Sequence, residues 1–281
     1  MCQLIRAELH HLFHTKIFIV TSAGLLLYNI WDILLTDFGF NVGWSFFLFQ
    51  KTPWILISVA MITALHISRE LGGKIIYHKI IFGYQPKTIY QAYILAGIIE
   101  TSCLLFIDTS SILLFSYAKN FTMDIHLLPM VINLIIVIIS ATVISVFITV
   151  LVVAIPNRIL SLFIVIGISC VLFQKGADLS VNLSEPTETI FYNETEKDAP
   201  MENPLYIKGT QRDLYCLELI ASPYAQVQYE KFILFEGKEQ KSSTSLLLKK
   251  IPYHLEFIFV GMIELLFLYY MGRHIFLSHF K

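Results

Sequence analysis

Long apolar runs separated by shorter polar connections are the dominant pattern of this chain. A transmembrane helix needs about 20 predominantly apolar residues to cross the hydrocarbon core of a bilayer. Six runs approach or exceed that length: Ile17–Leu35, Pro53–Ile67, Ile89–Ile107, Leu127–Val153, Leu160–Phe173 and Tyr253–Met271. The short second run is a candidate for extension by an interfacial or re-entrant piece at Trp44–Gln50, and the third continues past Asp108 to Tyr117. The pattern predicts an all-α membrane protein with six transmembrane helices.

Composition agrees with a membrane class and argues against a nucleic-acid partner. Apolar residues make up 56% of the 281 residues, and the mean hydropathy is +0.68. Charged residues make up 15%, whereas a soluble domain carries about 25%. The formal net charge of −1 gives no general basicity that would attract nucleic acid.

The distribution of basic residues in the short loops predicts the orientation. Lys and Arg are enriched in cytoplasmic loops of membrane proteins. The 68–88 loop carries four basic residues, whereas Thr36–Thr52 and Ala118–His126 carry one each. Both termini are therefore expected in the cytoplasm.

The 175–252 segment is an exception to the short connections, and the same orientation places it outside the cell. Long loops translocate largely regardless of their charge, so its charged residues do not oppose this placement. Its first part, around Glu185 to Pro200, is polar and is predicted to be extended or mobile. Its second part, Leu214–Phe235, is more apolar and is predicted to fold back on the membrane surface.

Residues 1–16 have the pattern of an amphipathic helix. On a helical wheel one face is apolar and the other carries basic and imidazole groups. The apolar face holds Ile5, Leu9, Leu12 and Phe13, and the polar face holds Arg6, His10, His11 and His14. This division predicts an interfacial helix on the inner leaflet. A plain juxtamembrane lead-in to the first span is the alternative, and the segment lacks the features of a signal peptide.

The 68–88 loop is the most informative stretch, because it is basic and punctuated by glycine. Four basic side chains, Arg69, Lys74, Lys79 and Lys87, stand against the single acid Glu70. We predict a helix over Glu70–Phe82 that ends at Gly83, with Pro86 preventing its continuation.

This loop resembles the first intracellular loop of the permeases of ABC-2 type ABC transporters. The likeness is carried by Glu70, Gly73, Ile76, Lys79, Gly83, Ile89 and Tyr90. It departs from the family pattern at Gly73-Lys74, where a Gly-Thr pair is usual, and at Pro86, where a basic residue is usual. A second block resembles the stretch before the last span in a Firmicutes-type branch of the family. That block comprises Asn203–Thr210, Arg212, Tyr215, Pro223, Ala225, Gln226 and Gln228.

The resemblance implies a transport subunit. In this family the loop holds a coupling helix that docks in a groove of a separate cytosolic ATPase. The corresponding residues here are Glu70, Gly73, Ile75, Ile76, Lys79, Ile80 and Gly83, with Glu70 as a polar contact to the partner and the isoleucines as its apolar area. The chain would be the permease of an exporter of peptides, drugs or other amphipathic molecules, in a bacterial plasma membrane. A second permease copy or a relative would complete the channel, and the partner ATPase would bind ATP and Mg²⁺.

Two acidic residues near the middle of predicted spans are further candidates. An ionised carboxylate at the bilayer centre costs about 2.5 kcal/mol or more, so Glu100 and Glu264 are expected to face protein or water. They are either protonated hydrogen-bonding partners between helices or part of a pathway for a positively charged substrate.

Other chemical motifs are weak. Gly72-Gly73-Lys74 resembles the end of a phosphate-binding loop, but Ile75 stands where Ser or Thr is required. His10 and His14 have the spacing of metal ligands on a helix but lack a third ligand nearby. An intramembrane protease is disfavoured because Glu100 is solitary and His66 lies at a span boundary. An ATPase-independent membrane sensor or immunity protein remains the alternative to a permease.

Overall fold

The computed structural model describes residues 2–35, 51–119, 127–155, 157–185, 188–190, 200–236 and 252–280. These residues form ten helices and one pair of short strands. The elements in chain order are α1 (Cys2–Phe13), α2 (Lys16–Leu35), α3 (Thr52–Gly72), α4 (Ile75–Ile81), α5 (Pro86–Ala118), α6 (Leu127–Ala154), α7 (Arg158–Ser184), β1 (Glu188–Ile190), β2 (Pro200–Glu202), α8 (Thr210–Ile220), α9 (Pro223–Glu236) and α10 (Tyr253–His279).

Six of the described helices are long and apolar enough to cross a membrane: α2, α3, α5, α6, α7 and α10. This confirms the number of spans predicted from the apolar runs. The central helix is α6, which packs against α3, α5, α9 and α10. In its most apolar window 72% of the residues are buried, compared with 22% in α2, α7 and α10. Small polar side chains, Ser140, Thr142, Ser145 and Thr149, let neighbouring helices approach it closely.

The helix ends differ from the predicted boundaries where polar residues find packing partners. The fifth span was predicted to end at Phe173, yet α7 continues to Ser184. Leu179 and Leu183 in this extension are buried in one cluster with residues of α8. Because these contacts bury apolar area, the polar residues between them remain helical, and α7 extends beyond the apolar run on which the predicted span was based.

Part of Leu214–Phe235, the segment predicted to fold back on the membrane surface, is buried within the protein, whereas Leu214 and Leu217 are exposed. The segment forms α8 and α9, and every residue from Tyr224 to Glu230 is buried. Helix α9 packs against α7, α6 and α3, so it lies within the bundle. Gly176 of α7 makes this possible, since a Cβ there would lie 3.0 Å from the Ala225 backbone.

Residues Cys2–Phe13 are helical, as predicted, with Arg6, His10 and His11 exposed and Leu12 buried. The place of α1 at a membrane surface stays a prediction. The described parts of the polar stretch after α7 pair as antiparallel strands, with Thr189 opposite Met201. The interfacial piece predicted at Trp44–Gln50 lies outside the described residues, as does the stretch 191–199 between β1 and β2.

The close approach of α7 and α9 predicts a position-specific cost for enlarging glycine. Gly176→Val should destabilise the protein by about 1–3 kcal/mol, because the added carbons overlap the α9 backbone. Gly167→Val on the same helix is the matched control, since a Cβ there meets nothing within 4 Å and the expected change is below about 0.5 kcal/mol. Thermal unfolding of the purified variants measures both, and equal midpoints would contradict the packing of α9 on Gly176.

Candidate functional site

Five polar side chains meet at the end of the bundle that carries α1 and α4. We call them the Glu8 cluster, which comprises Glu8 of α1, His66 and Glu70 of α3, Lys79 of α4 and Tyr93 of α5. The Glu8 residue is 1% exposed, and the Lys79 side chain is 14% exposed. Burial of so many ionisable groups requires that each be neutralised or hydrogen-bonded.

Lys79 lies at the centre of the Glu8 cluster. Its ammonium group forms ion pairs with both Glu8 and Glu70, and its Nζ lies 3.4 Å from the Tyr93 hydroxyl oxygen. The Tyr93 hydroxyl donates a hydrogen bond to Glu70. The Nε2 atom of His66 lies 3.3 Å from Oε2 of Glu8. Because an ionised carboxylate can only accept, the hydrogen must be on Nε2.

The surroundings of Glu8 favour its charged form. Burial alone would raise the pKa of Glu8. The hydrogen bond from His66 and the positive charge of Lys79 outweigh burial and lower the pKa below its ordinary value of 4.5. Glu8 is therefore ionised at neutral pH, and its charge-assisted bonds hold α1 against α3 and α4.

A metal is not needed to explain this arrangement. The ligand atoms of Glu8, His66 and Glu70 all lie within 4.8 Å of one another, a spacing that a metal ion could bridge. However, the Lys79 ammonium already bonds both carboxylates, so the place of a cation is taken by a side chain of the protein.

Sequence reasoning missed Glu8, although a signal was present. The buried stripe of α1 runs through Leu4, Glu8 and Leu12, which are spaced four residues apart. An acid inside an apolar stripe indicates a buried basic partner. Only the tertiary structure identifies that partner as Lys79, which lies 71 residues further along the chain.

The predicted helix over Glu70–Phe82 is corrected to two helices. Helix α3 continues through Gly72, and Lys74 then adopts a left-handed φ of 55° before α4 begins at Ile75. Gly83, with a φ of 90°, follows α4 as predicted, and Pro86 starts α5 rather than stopping a helix. Glu70 thus belongs to the last turn of α3.

Burial also revises which of the predicted loop residues face outwards. Glu70 and Ile76 are 2% and 0% exposed, so neither offers a contact surface. Lys79 joins the Glu8 cluster, Ile75 and Ile80 are half-buried, and Gly73 caps the end of α3. The exposed apolar side chains lie on the other side of α4 and just after it. We call them the α4 edge: Tyr77, Ile81 and Phe82, which are 46%, 77% and 82% exposed.

A second buried lysine organises the opposite end of α3. Lys51, which precedes α3 and is 1% exposed, lies 3.1 Å from Oδ2 of Asp32 and donates to Oδ1 of Asn29 at 2.8 Å. Asn29 in turn donates to Oδ1 of Asp108 at 2.9 Å and to the Ser111 hydroxyl at 2.6 Å. This Lys51 cluster links α2, α3 and α5, and the apolar-run analysis gave no indication of these pairings.

The two predicted mid-span acids lie in different surroundings. Glu100 is 1% exposed, and its Oε1 has no hydrogen-bond partner among the described residues. Glu264 is half-buried and lines an apolar cavity between α6, α7, α9 and α10, to which Glu100 does not contribute. The structure therefore does not bring the two carboxylates together at this cavity.

Comparisons with known proteins do not assign the chain to a family. No model of a known protein family matches the chain, and no curated protein matches it significantly.

Lys79→Met should destabilise the protein by about 3–5 kcal/mol, because it leaves two buried carboxylates without their shared cation. Lys87→Met is the matched control, since Lys87 is exposed in the first turn of α5 and its loss should change stability by less than about 0.5 kcal/mol. Thermal unfolding of the purified proteins measures the difference. Adding Glu8→Gln and Glu70→Gln to Lys79→Met should recover part of the loss, and equal shifts for the two lysine variants would contradict the central role of Lys79.

The depressed pKa of Glu8 predicts loss of the α1 anchor in acid. A carboxyl group whose folded pKa lies below 4.5 contributes stability that is fully present above pH 4.5. This contribution is lost as the pH falls below 4.5 and through the lower folded pKa. Hydrogen exchange of α1 amides should therefore rise below pH 4.5, after correction for intrinsic exchange, and Glu8→Gln should remove the step. A step of the same size in Glu8→Gln would show that another group is responsible.

Proposed function

We propose that this chain is the membrane-spanning permease subunit of an ABC-2 type exporter in a bacterial plasma membrane. A separate cytosolic ATPase would supply the energy by binding ATP and Mg²⁺, and a second copy or a relative would complete the pathway. The proposal rests on the resemblance of the 68–88 loop and on the six apolar helices. The strongest structural support for this proposal is that one side of α4 is anchored in the protein and the other side is exposed.

An element that passes motion from a soluble partner to membrane helices needs two attachments. The inward side of α4 provides the first, since Ile76 is fully buried and Lys79 forms ion pairs with α1 and α3. The α4 edge provides the second, since Ile81 and Phe82 are largely exposed and Tyr77, which packs edge-on against Phe280, is partly exposed. A displacement of α4 would therefore be transmitted to α1, α3 and α5 through buried charges.

The exposed charges around α4 suit a soluble partner in the cytoplasm. Lys74 and Lys87 are exposed on either side of α4, and both belong to the loop that the positive-inside rule assigns to the cytoplasm. In this orientation both termini are cytoplasmic, and the exposed Arg6, His10 and His11 of α1 would face the inner leaflet. The segment between α7 and α10 would then begin and end on the outer side.

The test is association with an ATPase encoded beside the gene for this chain. Phe82→Asp should weaken association and ATP hydrolysis by at least about tenfold, because an aromatic anchor at an interface centre is worth about 2 kcal/mol or more. Tyr117→Asp is the matched control, since Tyr117 is 78% exposed at the opposite end of α5. Co-purification and ATPase activity at equal membrane abundance measure both.

Equal association of the two variants would contradict docking through the α4 edge. If the wild-type chain performs its cellular role without any ATPase, the alternative of a membrane sensor or immunity protein would replace the permease.

A further inference from the structure

A cavity of about 260 Å³ lies beside the central helix and has no assigned role. Helix α6 forms its floor, α7 and α10 form its walls, and the beginning of α9 closes one end. Helices α7 and α10 both contact α6 but make little direct contact with each other, so the cavity lies in the space between them. An apolar cavity of about 150 Å³ can hold benzene, so this volume is sufficient for a larger, two-ring body.

The lining combines a large apolar wall with a small polar patch. Most of the wall is aliphatic and aromatic, including Val143, Ile144, Phe147, Ile148, Leu172 and Leu268. The polar patch consists of the Ser169 and Tyr224 hydroxyls, which interact with each other, and of Glu264, whose Oε2 is buried without a hydrogen-bond partner in the described chain. Buried polar atoms are normally paired, so the unpaired Glu264 Oε2 on the wall of an otherwise apolar cavity indicates a ligand that supplies the missing bond.

The chemistry of the lining selects the kind of ligand. Glu264 is the one acidic residue on the wall, and the described lining contains no Lys, Arg or His. A carboxylate or phosphate ligand would therefore meet no counter-charge, whereas an ammonium group would neutralise Glu264 and donate hydrogen bonds to it. A sugar would leave most of its hydroxyl groups unpaired against the apolar wall.

The position of the cavity indicates entry from the side of the bundle. Phe267 of α10 lines the cavity and is 65% exposed, so it lies at the rim. Tyr224, by contrast, is 1% exposed and lies at the inner end. An apolar molecule dissolved in the membrane could enter past Phe267 without crossing a polar surface.

We propose that this cavity binds a lipophilic amine, with its ammonium group at Glu264 and its apolar body against α6 and α7. The site lies within one copy of the chain and does not require a partner. Its use as an entry point for exported cargo rests on the proposed function, but binding itself does not.

The test uses 1-naphthylmethylamine as the probe and 1-naphthalenemethanol as its uncharged counterpart. Each probe is equilibrated with the purified chain in lipid nanodiscs, and binding to empty nanodiscs is subtracted. We expect saturable binding of the amine that is at least about tenfold tighter than that of the alcohol, because the ammonium group donates a charge-assisted hydrogen bond to the Glu264 carboxylate and the alcohol can donate only a weaker neutral one. Glu264→Gln should remove this preference and leave the alcohol unaffected.

A control variant and the results that would overturn the proposal complete the binding experiment. Glu256→Gln changes a buried acid on α10 that does not line the cavity, so it should retain the preference for the amine. The absence of saturable binding, equal binding of amine and alcohol by the wild type, or an unchanged preference in Glu264→Gln would each overturn the proposal. Should Glu264→Gln fail to fold, the wild-type comparison decides, because equal binding of amine and alcohol overturns the proposal without any variant.

Because the binding experiment contains neither ATP nor an ATPase, its outcome is independent of the permease assignment. Tight amine binding by a chain that never associates with an ATPase would retain the site and reject the transporter. An active transporter whose chain binds no amine would retain the transporter assignment and reject the amine site.

Discussion

The arrangement of this bundle depends on the need to neutralise charged side chains that are buried between its helices. A lone carboxylate or ammonium group removed from water is costly, and both buried lysines are paired with acidic residues of other helices. Lys51 before α3 joins α2 and α5 through Asp32 and the Asn29–Asp108 pair, and Lys79 joins α1, α3 and α5 at the other end. Helix α3 is therefore held at both ends by a buried lysine, and α5 takes part in both clusters.

The carboxylates without such partners stand apart from this framework. Glu8 and Glu70 are satisfied by Lys79, whereas Glu100 Oε1 and Glu264 Oε2 are buried without a partner in the described chain. Removing a group from the paired set breaks links between helices, but the unpaired set carries no such links. The unpaired atoms are thus the positions where a proton, water or a ligand can bind without competing with the fold.

Sequence reasoning predicted the number of spans because bilayer thickness fixes the length of an apolar run, and that signal is local. It was less successful at helix ends, as Leu183 shows, since packing against α8 keeps a polar stretch helical. Sequence reasoning also placed Glu70 at the surface, because an acidic residue in a basic loop is expected to be solvent-exposed unless its buried partner is known. The pairing of Glu8 with Lys79 connects residues far apart in the chain and leaves no local trace beyond an acid within an apolar stripe.

The two ends of the cavity differ in how far they can adapt to a ligand. At its inner end α9 is fixed, because Gly176 allows close backbone contact and Gln226 both accepts from Ser140 and donates to the Ile220 carbonyl oxygen. Displacing Tyr224 would require breaking these buried bonds, each of which is costly to leave unmade. At the rim, Phe267 is exposed and can change rotamer at little cost. Larger ligands should therefore be accommodated by the rim of α10, while the position of the ammonium group beside Glu264 remains constant.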